Sequence, residues 1–132
     1  MLIGDFMNMV MKMIIVGLGA VIGSWGRFLI FDIFSILHFP IATLIVNLVG
    51  SLILGFITTI PLFKGKRSEV WRLFWGTGIC GGFTTMSTYS GDMFILIRTS
   101  PLLAILYVMI TLIGGIGLAW AGMYLGRKKQ SV

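Results

Sequence analysis

The chain has 132 residues, of which 58% are hydrophobic and 11% charged, with a mean hydropathy of +1.05. A soluble domain carries about 25% charged residues, so this is an integral membrane protein, a single transmembrane domain over 1–132 with length for about four spans of ~20 residues and no room for an extramembrane domain. The net charge of +6 does not indicate nucleic acid, because the basic residues cluster in short flanks of apolar segments, as membrane anchors do.

The start of the chain, Met1 to Met13, is methionine-rich. It lacks a basic n-region and a small-residue cleavage site, so it is not read as a signal peptide. The first span is predicted over 14–34, with an amphipathic lead from Phe6. Gly19, Gly23 and Arg27 fall four apart, on one helix face. Arg27 is the one basic residue well inside a span. Two roles are open to it. Its stem can snorkel and carry the charge to the nearby interface, or it is a vestibule cation that draws anions inward. The first loop, 32–40, has no Lys or Arg. His38 there has no Cys or carboxylate neighbour at ligand spacing, so it reads as an interfacial polar residue and not a metal ligand.

The second span, 41–63, is uncharged. Thr43, Asn47, Ser51, Gly55 and Thr59 recur every four residues and form a ridge on one face. Small residues at this spacing mark close helix packing. An amide in hydrocarbon is costly without a partner, so Asn47 either bonds another helix or aims an N–H at an anion. The second loop carries Lys64, Lys66, Arg67 and Arg72 against the lone acid Glu69, and reads as solvated and cytoplasmic.

The third span, 72–97, holds the most unusual stretch of the chain. Between Gly76 and Ser90 stand four glycines and seven hydroxyl-bearing side chains. Each glycine weakens a helix by about 1 kcal/mol relative to alanine, so a break is expected at Gly81-Gly82. Lipid-facing backbone does not tolerate a break, whereas backbone lining a cavity or another protein surface does. Cys80, the single cysteine, forms no intrachain disulfide and reads as a small apolar filler. Asp92 is the one acid well within a span; such carboxylates are more often functional than decorative. The fourth span, 101–126, has a small-residue row at Thr111, Gly115, Ala119, Gly122 and Gly126, and ends in the basic stop Arg127-Lys128-Lys129.

Four spans place both termini beside the second loop. That side holds Lys12, Lys64, Lys66, Arg67, Arg72, Arg127, Lys128 and Lys129, against Arg98 on the other. The bias predicts cytoplasmic termini and one fixed orientation of a multi-pass protein in the cell membrane. One subunit with few polar groups does not easily enclose a polar path, so the small-residue rows of spans two and four predict an obligate oligomer.

Three motifs stand in order along the chain: Gly23-x-x-x-Arg27, Asn47-x-x-Gly50-Ser51-x-x-x-Gly55, and Gly81-Gly82-Phe83-Thr84-Thr85-x-Ser87-Thr88. With its length and span count, the chain resembles the Fluc (CrcB) fluoride channels over nearly its whole extent. The resemblance implies an all-α membrane protein of four helices, the third broken in mid-membrane, paired as an antiparallel dimer with two fluoride pores along the subunit interfaces. It implies a structural sodium ion at the dimer axis, held on this chain by the carbonyls of Gly81 and Thr84. It implies a pore set of Asn47, Met86, Ser87, Thr88, Tyr89 and Thr111, with Arg27 at the family's motif arginine and Asp92 where the family usually has a glutamate. Fluoride is small and strongly hydrated, and positive ring edges can supplement N–H and O–H donors around it. The family supplies two phenylalanines as F-x-x-F; here those positions are Met86 and Tyr89. Most members encoded by one gene have balanced flanking charge and insert both ways, while others are pairs of subunits with opposite fixed orientations. The charge bias and the altered phenylalanine pair together indicate one half of a heterodimer.

Two rivals are weighed against a passive fluoride channel subunit. A proton-coupled multidrug transporter of similar size needs a deep carboxylate in its first span, where this chain has Arg27. A non-conducting structural or degenerate subunit is consistent with Met86. An enzyme is not indicated, because Cys80, His38 and Asp92 lie at no diagnostic spacing.

Overall fold

The structure is a computed structural model that describes residues 2–34, 39–60 and 68–128. His38, the loop bases Lys64, Lys66 and Arg67, and Lys129 lie outside the described residues. The described residues form helices: α1 (Leu2–Ile33), α2 (Ile41–Thr59), α3 (Ser68–Arg72), a π-helical stretch (Leu73–Cys80), α4 (Gly81–Phe83), α5 (Met86–Thr99) and α6 (Pro101–Lys128). Within α1, α2 and α6, the segments Phe6–Ile33, Ile41–Thr59 and Pro101–Lys128 are each long and apolar enough to cross a membrane. The fourth segment, 68–99, is composite. Prolines set two of the boundaries. Ile60, before Pro61, turns extended at φ −67°, ψ 134°, and Ser100, before Pro101, does so at φ −156°, ψ 91°. The ring of a following proline disfavours helix at each, and Pro101 then starts α6 at the position where its missing N–H costs nothing.

Two close seams hold the helices together. In the first, the Gly19-Gly23-Arg27 face of α1 lies on the run 68–84. A Cβ on Gly23 would strike the Ile79 carbonyl, and one on Gly82 would strike the Ala20 carbonyl. Lys12 Nζ bonds Glu69 Oε1 at 2.6 Å at the end of this seam. In the second, α2 lies on α6. A Cβ on Gly55 would meet the Ala119 carbonyl, and one on Gly122 the Leu52 carbonyl. Lipid gives helices no hydrophobic reason to associate, so backbone approach of this kind supplies the attraction. The small-residue rows of spans two and four thus pack on each other inside one chain. They carry no argument for an oligomer, contrary to the expectation from their spacing.

The interruption of the third segment also falls elsewhere than expected. Gly81 is helical (φ −64°, ψ −38°), while Thr84 (φ −77°, ψ 158°) and Thr85 (φ −145°, ψ 121°) are extended. The glycine cost is outweighed at Gly82 by the contact with α1. The two threonines leave the helix because their hydroxyls and β-branches compete with the ladder. Thr84 Oγ1 donates to the Cys80 carbonyl at 2.9 Å. Thr85 then caps α5, its Oγ1 accepting the Thr88 N–H at 3.2 Å, as an N-cap hydroxyl should.

Candidate functional site

Three side chains from the flanking helices take up backbone groups where the ladder is interrupted. From α2, Asn47 pairs with the Thr85 peptide in both directions: Oδ1 accepts the Thr85 N–H at 2.9 Å, and Nδ2 donates to the Thr85 carbonyl at 3.1 Å. From α1, Arg27 Nη1 donates to the Thr84 carbonyl at 3.1 Å, and Ser24 Oγ donates to the Gly82 carbonyl at 3.4 Å. Of the two roles open to Asn47, the bond to another helix is the one the structure gives it. Arg27 meets neither of its expectations in simple form, since its guanidinium is half-buried on a carbonyl.

The same bonds decide which groups are left over. A continued helix would send the Thr85 N–H to the Gly81 carbonyl. Asn47 takes that N–H instead, and the Gly81 carbonyl loses its ladder partner. The Thr88 N–H goes to Thr85 Oγ1, so the Thr84 carbonyl also stands outside the ladder. Gly81 and Thr84 line one open cleft of about 380 Å³ with Asn47, Gly50, Ser51, Met86 and Thr111. Carbonyls freed from a ladder are the kind of oxygen ligand a hard cation takes. Of the two, the Gly81 carbonyl has lost its ladder partner, and the Thr84 carbonyl already accepts a bond from the Arg27 guanidinium. Among the described residues there is no His/Cys/Asp/Glu cluster suited to a metal.

A second cleft, of about 340 Å³, opens on the other side of the extended pair. Ser24, Arg27, Phe28, Phe31, Thr85, Ser87 and Thr88 line it. The structure thus divides the expected pore set. Asn47, Met86 and Thr111 fall in the first cleft, Ser87 and Thr88 in the second, beside Arg27.

Tyr89 and Asp92 belong to a third group, built on a residue that sequence reasoning missed. Tyr107 of α6 is fully buried at 0% exposure. Its hydroxyl donates to Asp92 Oδ2 at 3.2 Å. Its ring stacks on Tyr89, centroids 5.0 Å apart, and meets Phe39 edge-on at 5.7 Å. Thr111 Oγ1 donates back to the Tyr107 carbonyl at 2.7 Å. The available signal was the i, i+4 spacing of Tyr107 and Thr111, which puts them on one face, together with the need of Asp92 for a donor.

Donor accounting shows what each cleft offers. A carboxamide has two N–H donors and a guanidinium five. Asn47 commits one N–H to Thr85 and keeps one for the first cleft. Thr88 accepts the Thr85 hydroxyl proton at 2.9 Å and keeps its own O–H for the second. Thr111 has committed its proton to Tyr107.

Residues 14–123 match the family model described as "CrcB-like protein, Camphor Resistance (CrcB)". The chain belongs to the CrcB family. It is 40% identical over 119 residues to a protein of Halalkalibacterium halodurans named fluoride-specific ion channel FluC 2, covering 90% of this chain and 88% of that one. A Bacillus subtilis protein of the same name is 46% identical over 91 residues, 69% of each chain. The fluoride-specific ion channel FluC of Thermosipho melanesiensis is 35% identical over 124 residues, 90% of this chain and 98% of that one. The model match spans all three CrcB motifs of this chain, from Gly23 to Thr88, and reaches the Tyr107–Thr111 pair.

Proposed function

We propose that this chain is one subunit of a passive, fluoride-selective channel in the cell membrane, through which fluoride runs out of the cytoplasm and its toxicity is relieved. The observation that carries this is the pair of donor-lined clefts on either side of Thr84–Thr85, in a family whose named relatives are fluoride-specific channels. Fluoride gives up its tightly held water only for closely spaced N–H and O–H donors. In the first cleft that donor is the second amide N–H of Asn47. In the second cleft the free donor is the hydroxyl of Thr88, and Ser87 joins it by turning its hydroxyl away from Thr85 Oγ1, 3.3 Å distant. Met86 and Tyr89 complete the anion-facing set, and Thr111 joins it by turning its hydroxyl away from Tyr107. Arg27, on the Thr84 carbonyl, and Asp92, on the Tyr107 hydroxyl, are the charged residues beside it.

In this proposal the segment 68–99 is a third crossing, interrupted in mid-membrane at Thr84–Thr85, and two subunits pair antiparallel. The support is that one subunit leaves both clefts open and Met86 73% exposed, so it encloses no path alone. A sodium ion at the pair's axis, held by the Gly81 and Thr84 carbonyls of each subunit, would supply a fixed positive charge beside the anion path. Arg72, Arg127 and Lys128 stand at helix ends, and Lys12, within α1, pairs with Glu69, three residues before Arg72; the positive-inside rule then puts both termini in the cytoplasm. A single fixed orientation calls for a partner of opposite orientation, which makes the pair a heterodimer. Met86 also supports a second reading, a structural subunit with no working path of its own.

The test is fluoride-electrode efflux from liposomes holding this chain alone, then with a four-helix relative of opposite charge bias. Efflux only from the mixture supports the heterodimer. Robust efflux from the lone chain supports a conducting homodimer. No efflux from either removes the proposal.

A further inference from the structure

We infer that Arg27 is a positioning residue that fixes the conformation of Thr84 and Thr85, in place of the vestibule cation its charge suggests. The inference rests on the channel reading for its consequence and on the hydrogen bonds for its geometry. Arg27 Nη1 lies 3.1 Å from the Thr84 carbonyl oxygen, a group outside any helix ladder. Asn47 holds the next peptide, on the opposite side, by two bonds. Two adjacent carbonyls are thus gripped from opposite helices, Thr84 from α1 and Thr85 from α2, with both residues between them extended.

The seam places Arg27 there. Gly19 and Gly23 let α1 approach the backbone at 74–79, and Arg27 is the next residue on that face. Its planar head ends at the Thr84 carbonyl, one of those released by the interruption. A hydrogen bond from a cationic donor is about twice as strong as a neutral one. Such a bond holds the carbonyl without help from a bound ion or a second subunit. The extended pair is therefore preformed in each subunit. It aims Ser87 and Thr88 at the second cleft, which Arg27 also lines. A misplaced pair would shift those hydroxyls relative to the ion path, so removing Arg27 lowers the current through each open channel.

The experiment compares wild type, Arg27→Met and Arg27→Lys in the conducting assembly, by unitary fluoride current in planar bilayers at low and high ionic strength. Arg27→Met should reduce unitary current at least about fivefold, by the same factor at both ionic strengths, since screening does not restore geometry. Arg27→Lys, which keeps an N–H donor and a similar reach, should recover most of the current. A deficit in Arg27→Met that disappears at high ionic strength would make Arg27 a vestibule cation and overturn the inference. So would fewer channels of unchanged unitary current, which marks support of the fold alone. If wild type carries no fluoride in any assembly, the proposed function fails separately. The melting temperature in fluoride-free detergent then judges the clamp. Loss of a charge-assisted bond lowers it by about 5 °C, and a change under about 1 °C in Arg27→Met rejects the inference.

Discussion

Asn47→Ala removes the partner of the Thr85 N–H and a second partner of the Thr85 carbonyl. Thr85 is 5% exposed, so its N–H is left without water to replace the amide, while its carbonyl, at the N-cap of α5, keeps the first bond of that helix. One unsatisfied buried polar group costs about 1–3 kcal/mol. Interhelical hydrogen bonds measured in membranes average only about 0.6 kcal/mol, because the unfolded chain in lipid also finds partners. Two such bonds set a floor of about 1.2 kcal/mol. The expected loss is about 1–3 kcal/mol. Ser51→Ala is the control on the same face. It removes one bond to the Asn47 carbonyl four residues back, which leaves that carbonyl in its own helix ladder, so the loss is under about 0.5 kcal/mol. Equilibrium unfolding in mixed micelles, followed by tryptophan fluorescence, measures both. Equal stability of the two variants would refute the claim that Asn47 holds the backbone at Thr85.

Gly122→Val should destabilise by about 3 kcal/mol or more, because its Cβ meets the Leu52 backbone. Gly117→Ala, where a Cβ meets nothing within 4 Å, should cost nothing and gain up to about 1 kcal/mol from helix propensity in the same unfolding assay. Tyr107→Phe keeps the stack on Tyr89 but removes the donor to Asp92, and should cost about 1–3 kcal/mol. A neutral result would mean that Asp92 finds an equal partner elsewhere. Met86→Phe restores a positive ring edge at a 73% exposed position. It should raise fluoride efflux of the assembly containing this chain at least about twofold, with protein content per liposome held equal.

Much of the architecture was legible before any coordinates. Charge content and apolar run length dictate a membrane protein because the bilayer admits little else, and Pro101 is the expected start of the last span. By contrast, α2 stops at Thr59, before Pro61, and not at 63 as its apolar run suggests. Asn47 stood out because an amide in hydrocarbon requires a partner. The location of the interruption was not legible from Gly81-Gly82. Helix propensity is a local preference of about 1 kcal/mol, and packing against Ala20 overrides it at Gly82. The extended pair forms at Thr84–Thr85, where Asn47 and Arg27 compete for ladder groups from elsewhere in the chain. Nor does a four-residue row of small residues say what it packs against. Gly55 and Gly122 meet α6 and α2 of their own chain, although the same spacing would serve a second subunit. Tyr107 was passed over because its i, i+4 spacing with Thr111 is a weak signal until a partner for Asp92 is sought. Its importance comes from Asp92, which lies fifteen residues away.

The division of labour at Thr84–Thr85 also refines how the site is understood. Gly81, Thr84 and Asn47 line one cleft, and Ser87, Thr88 and Arg27 line the other. Side chains of two helices thus hold Thr84 and Thr85 from opposite sides.

The central claim is a fluoride-conducting assembly containing this chain, and the direct measurement is fluoride-electrode efflux from liposomes under a fluoride gradient with potassium and valinomycin setting the potential. The account predicts efflux that speeds and slows with the potential, while an equal chloride gradient gives none. Fluoride efflux indifferent to the potential would contradict a passive channel, and no fluoride efflux with either the lone chain or an oppositely oriented partner would contradict the function itself.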